Sequence, residues 1–232
     1  MKKNMKKSDT QRFYPMLFST LMVKALLAGT KTQTRRLVKP QPIVDTDSGY
    51  VYDGKHKTCY KNDCHHPDWR IAFAKEHSPV KVGDIIWGRE TFIPNWEGGY
   101  KPYYKASIHP FVENNLKENG INWKPSLFMP KEACRLWLKV INVRIEALQE
   151  ISEEDAIKEG ILCKWINLTT QTFTALDYRT NNMRFDFTAK DSYKSLWDKI
   201  NGIDDWVKNP FVWVYEFEVL HESPDGFLPI IP

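Results

Sequence analysis

Residues 135–148, RLWLKVINVRIEAL, place apolar side chains at Leu136, Leu138 and Val140, and then at Ile141, Val143 and Ile145. Successive side chains of a strand point to opposite faces, so a strand that keeps one face in a core cannot change parity without an extra residue. The switch between Val140 and Ile141 therefore predicts a bulge, or two strands meeting at a sharp bend, as at the corners of small barrels. A second strong β segment closes the chain. Pro210 opens FVWVYEFEVL, in which Phe211, Trp213, Tyr215, Phe217 and Val219 share one face.

Between these anchors the local signals are mixed. PMLFST (15–20) is a short strand, and Thr20 can cap a helix over Leu21 to Ala28 that Gly29 stops in the position favouring positive φ. KTQTRRLV has β-branched alternation, and Ile85 to Phe92 is a strand interrupted by Gly88, where a bulge or a close backbone approach is expected. Ser152 caps SEEDAIKEG, with acids in its first turn and Gly160 as its stop; these acids are expected to form a solvated helix face. TAKDSYKSLWDKING starts on a Thr-x-x-Asp box and stacks Tyr193, Leu196, Trp197 and Ile200 on one side. Trp197 and Trp213 are expected in the core. Residues 40–80, 94–130 and 161–187 have little periodicity and are expected as insertions in a single domain spanning 13–222, with a basic tail at 1–12 and a second tail at 223–232. Parallel α/β folds alternate more regularly, so the expected class is α+β: a small bent β-barrel with peripheral helices and long loops.

Charge is unevenly spread. Residues 1–39 carry ten Lys or Arg against the single Asp9, a local excess of nine in a chain of net charge +4, so the remainder is net −5. Concentrated positive charge points to an anionic partner, nucleic acid above all. No apolar run reaches the 18–20 residues or so needed to span a bilayer, and no apolar core follows the first lysines, so a cytoplasmic protein with no membrane partner is expected. Four cysteines then read as free thiols. CYKNDCHH brings Cys59, Cys64, His65 and His66 together, but the second tight pair of a structural zinc site is missing, so a polar loop with no metal and no cofactor is expected. Trp96, Tyr100 and Tyr103 fall in a loop where bases could stack.

The stretch AGTKTQTRR (28–36) concentrates hydroxyls and cations behind a glycine. Together with LFSTLMVKALLAGTKTQTRRLVKPQP (17–42), GDIIWGRETF (83–92), PSLFMPKEACRLWLKVINVRIEALQEISEEDAIKEGI (125–161) and the end block SLWDKING…NPFVWVYEFEVL (195–220), it resembles the ASCH domain (activating signal cointegrator homology). That family belongs to the PUA-like superfamily of RNA-associated β-barrels, and the phage and prophage members are the most similar. The general signature Gly-x-Lys-x-x-Glu-x-Arg is matched by Gly29, Lys31 and Arg36, with Thr34 in place of the glutamate. A bacterial branch with that threonine is an amidohydrolase that removes the acetyl group from the exocyclic amine of acetylated cytidine. Its trio is a lysine, a threonine and a glutamate on a later strand, which the resemblance carries to Lys31, Thr34 and Glu90. Gly29, Arg35, Arg36, Arg89 and Ser126 are expected around the substrate, in a cleft between residues 29–36 and 87–92.

Amide hydrolysis needs a nucleophile, a proton carrier and an oxyanion stabiliser. Thr34 can supply the hydroxyl. Lys31 can serve as base if burial beside Arg35, Arg36 or Arg89 lowers its pKa, whereas a close Glu90 would keep it protonated and take the base role itself. Lys31 and Thr34 have opposite strand parity, so they share a site only if Lys31 lies in the turn after Gly29. Three functions stay open: an RNA-binding or modified-nucleoside-binding domain with amidohydrolase activity, a phage-encoded binding or assembly module without turnover, and a metal-independent ribonuclease.

Overall fold

The computed structural model describes residues 11–45, 50–52, 68–94, 102–167, 172–185, 187–220 and 223–224. The cysteine and histidine cluster at 59–66, the ring positions Trp96 and Tyr100, and nearly all of both tails lie outside them. In chain order the elements are β1 (Phe13–Leu17), α1 (Thr20–Leu27), β2 (Gln33–Leu37), β3 (Ile43–Asp45), β4 (Tyr50–Tyr52), α2 (Asp68–His77), β5 (Ile85–Arg89), β6 (Phe92–Ile93), β7 (Tyr103–Tyr104) and α3 (Pro110–Glu118). There follow β8 (Trp137–Ala147), α4 (Glu153–Lys158), β9 (Cys163–Asn167), β10 (Thr172–Asp177), β11 (Asn182–Phe185), α5 (Ala189–Asn201), α6 (Ile203–Lys208) and β12 (Phe211–Leu220).

Five strands form a mixed sheet in the order β1-β5-β8-β12-β2. β1 runs parallel to β5, while β5 with β8 and β2 with β12 are antiparallel. The order has two ends, so among the described residues the sheet is open rather than a closed barrel; the fold class is α+β. β8 is one continuous strand rather than two strands meeting at a bend, and its buried positions change parity along it. Leu138 and Val140 are buried on one parity and Ile145 on the other, and Ile141 and Asn142 are consecutive exposed residues between them. The change thus falls one residue later than the apolar pattern placed it.

The chain divides into two compact units. Unit 1 comprises Met1–Lys24, Val82–Ile141 and Glu218–Pro232. Its core gathers Ile85, Phe92, Met129, Ala133, Cys134 and Trp137, with Phe13, Trp87, Tyr104 and Leu220 packed against them. Gly88 is a close approach: a Cβ there would sit 3.0 Å from that of Leu136 and 3.4 Å from the Phe18 ring. Unit 2 comprises Ala25–Lys81 and Asn142–Phe217. Here β2 and β12 pair in the register Thr34↔Tyr215 and Arg35↔Val214. Trp69 and Phe73 of α2 pack on Phe211 and Trp213 of β12, with ring centroids 5.7 and 5.8 Å apart. α5 opens on the expected box, Thr188 with Asp191, and buries Tyr193, Leu196 and Trp197, whereas Ile200 is exposed. Residues 161–187 contribute β9, β10 and β11, an antiparallel sheet with β10 in the middle.

Candidate functional site

Gly29 ends α1 at φ +70°, and the backbone N–H groups of Thr30 and Lys31 both donate to the Ala25 carbonyl. The chain then enters a sheet-like path before β2 begins: Lys31 forms an antiparallel bridge with Glu159, Thr32 N–H donates to Lys158 O at 2.8 Å, and Phe217 N–H donates to Thr32 O at 2.9 Å. Gly160 closes over Lys31. At φ +82°, a Cβ on Gly160 would stand 2.6 Å from Ala25 Cβ and 2.9 Å from Lys31 Cβ, so only glycine fits there.

Lys31 is consequently 0% exposed. Its ammonium donates to Glu159 Oε2 at 2.6 Å and to the Glu159 carbonyl at 2.9 Å. Gln33 and Arg35 share its strand parity and complete the cluster. Arg35 binds Glu146 Oε1 through Nε at 2.8 Å, Asp155 Oδ2 through Nη2 at 2.9 Å and Glu159 Oε1 through Nη1 at 3.1 Å. Arg144 bridges Asp155 at 2.6 Å and Glu146 at 3.2 Å, and also binds Glu216. Gln33 Nε2 donates to the Asp155 carbonyl at 2.7 Å. All these residues belong to unit 2, so this network is assembled within one compact body.

The cluster shifts its members' protonation. Burial pulls the Lys31 ammonium below its usual range; Glu159 opposes this, and Arg36 and Arg35 add to it. Burial also works against the Arg35 guanidinium, but Glu159, Tyr193 and Glu146 outweigh it and hold Arg35 above its ordinary value. Arg36, whose Nη1 donates to the Arg35 carbonyl, is lowered by burial despite Glu159 and the tyrosines Tyr193 and Tyr215. For Asp155, burial is overcome by Arg144, Arg35 and Gln33, which keep the carboxyl below its usual range.

Thr34 stands on the other strand parity, fully buried, and its Oγ1 has no hydrogen-bond partner among the described residues. A buried hydroxyl without a partner is uncommon and marks a position that invites a ligand or a water. Gly29 is an exposed turn residue.

Glu90 and Arg89 belong to unit 1. Glu90 is 1% exposed and is held in a two-point pair by Arg135, with Nε–Oε1 at 2.8 Å and Nη2–Oε2 at 3.0 Å. Burial raises its carboxyl above the usual range, and Arg135 pulls the other way. Arg89 donates to the carbonyls of Met129 and Leu127, and Ser126 opens the short helical turn that carries Leu127. The carboxylate bonded to Lys31 is therefore Glu159, while Glu90 is bonded to Arg135.

Two acids of SEEDAIKEG depart from the solvated face expected of them. Glu153 and Glu154 are exposed, but Asp155 and Glu159 point into the cluster with side chains 17% and 3% exposed. Their spacing of four residues, beside the buried Ala156, is the signal that places both on the inner face of α4 and its cap.

No family model, curated protein or solved structure matches this chain. Among the described residues no helix is long and apolar enough to cross a membrane.

Proposed function

We propose that the chain is a PUA-like domain of the ASCH type, akin to its phage and prophage members, which binds RNA or a modified nucleoside in the cytoplasm and hydrolyses the exocyclic amide of acetylated cytidine. The observation that carries the proposal is the unpartnered, buried Thr34 hydroxyl. Support for the fold comes from the α+β class. In this reading Glu159 takes the carboxylate role that the resemblance implied for Glu90, because it is the group bonded to Lys31.

The chemistry follows from those groups. Thr34 Oγ1 attacks the acetyl carbon while its proton passes to the exocyclic nitrogen of the substrate, and Lys31, ion-paired with Glu159 on the other strand parity, fixes the segment that carries Thr34. The tetrahedral intermediate collapses with cleavage of the C–N bond, and the protonated amine departs. Water then releases acetate from Thr34. A second reading, a binding module without turnover, is favoured by the complete burial of both Lys31 and Thr34.

Cytidine acetylated on its exocyclic amine, incubated with the purified chain and followed by chromatography, separates the two. Thr34→Val should lower turnover at least a hundredfold while leaving nucleoside affinity within about threefold, a split expected when a hydroxyl acts in the chemical step alone. Binding without turnover in the unaltered chain establishes the second reading. Absence of both overturns the proposal.

A further inference from the structure

Unit 1 carries a face unlike the charge cluster of unit 2. Phe13, Trp87 and Tyr104 are half-buried and pack against one core cluster, and each has a cation over its ring. Lys131 Nζ lies 3.8 Å from the Phe13 centroid, Arg135 Cζ 4.0 Å from that of Tyr104, and Arg89 Cζ 5.4 Å from that of Trp87. The three differ in charge balance. Arg135 is matched by Glu90, whereas the bonds of Arg89 run to the carbonyl oxygens of Met129 and Leu127, with no carboxylate on it among the described residues. The turn that holds Arg89 also exposes Leu127 and Phe128, at 57% and 66%. The described residues of unit 1 contain nine Lys or Arg against six Asp or Glu, a net positive balance that suits an anionic partner.

The Arg89 guanidinium over the Trp87 ring commits Nε and Nη2 to the two carbonyls, which leaves Nη1 for a phosphate and the half-buried ring edge for a base. Rings and cations alternating over one surface are what a flexible single strand requires: stacking for bases of any identity and charge for the backbone between them. We propose that this face of unit 1, centred on Arg89 over the Trp87 ring, binds single-stranded RNA, with phosphates at Arg89 and Lys131 and bases on the neighbouring ring surfaces. The RNA partner is taken from the function proposed above; the surface is independent of the Lys31 chemistry, since its residues belong to the other unit.

Fluorescence anisotropy of the full chain with a labelled twelve-nucleotide oligouridine, at potassium chloride from about 50 to 300 mM, tests it. Arg89→Gln retains a donor for the two carbonyls and removes the charge; Lys131→Gln removes the charge at its position. Each should weaken binding about tenfold at low salt and reduce the slope of log K against log salt by about 0.7, the share of one single-strand phosphate contact, with the melting temperature kept as a check on folding. RNA binding that is indifferent to both variants overturns this surface and leaves the RNA partner standing. No RNA binding by the unaltered chain overturns both. Equal affinity for an oligothymidine DNA of the same length overturns the assignment to RNA.

Discussion

Substituting Glu159 by glutamine is the most direct way to expose what the cluster costs and contributes. The side chains of Lys31 and Glu159 are 0% and 3% exposed, so solvent does little to screen a charge left behind when its partner is neutralised. Removing one member of a buried ion pair typically costs about 3–5 kcal/mol, because the remaining charge stays desolvated. For a chain of this length each kcal/mol moves the melting temperature by about 2–4 °C, so Glu159→Gln should lower it by about 10 °C. Lys31→Met should cost less, since Glu159 keeps Arg35 at 3.1 Å. The double variant should then lose about 2 kcal/mol less than the sum of the two single losses, which is the coupling expected of directly bonded groups. Thermal and urea unfolding of the four proteins measure this cycle. Additivity within about 0.5 kcal/mol would refute the claim that the pair, rather than each residue's separate packing, governs stability here.

Two further outcomes follow from the same cluster. Gly160→Ala meets both a positive φ and a Cβ only 2.6 Å from that of Ala25, so it should destabilise by more than about 2 kcal/mol in urea titration; a neutral result would show that the loop over Lys31 relaxes freely. The pH dependence has a definite sign. Because burial lowers the folded-state pKa of Lys31 below its ordinary value of 10.5, the unfolded chain binds more protons between those two values, and the Lys31 contribution to stability rises with pH across that window. Lys31→Met should remove this rise, and identical pH slopes for the two proteins as the pH approaches 10.5 would contradict it.

Much of the local structure was legible because it is written in adjacent residues. Gly29 stops α1, Ser152 caps α4 by accepting from Asp155 N–H, and Thr188 and Asp191 cap α5 reciprocally. α2 escaped notice because it turns Ile71 to solvent while burying Trp69, Phe73 and Ala74, which blurs its apolar stripe. α3 buries none of its residues, so its only marks were Pro110 in the first turn and the His109 cap. The residues of the candidate site were legible on one side only. KTQTRR announced a concentration of charge, but the carboxylates that meet it come from β8 and from α4 and its cap, and α4 looks from its sequence like an ordinary acidic surface helix. Glu90, chosen by resemblance, is as deeply buried as a site carboxylate should be; burial alone does not reveal which cation it serves.

The ion pairs of Lys31 and Arg35 join residues 111 to 128 positions apart along the chain. Closing a loop of that size has an entropic cost that grows with its length, and a single ion pair in water, worth about 0–1 kcal/mol, cannot hold it shut. The charges become strongly coupled only when water has already been excluded by the surrounding strands and helices. They therefore cannot guide the early search of the chain. Their place is at its end, where a misregistered β2 or a misplaced α4 would strand a lysine or an arginine in a dry interior, so that the cluster rejects near-native arrangements which hydrophobic burial alone would tolerate.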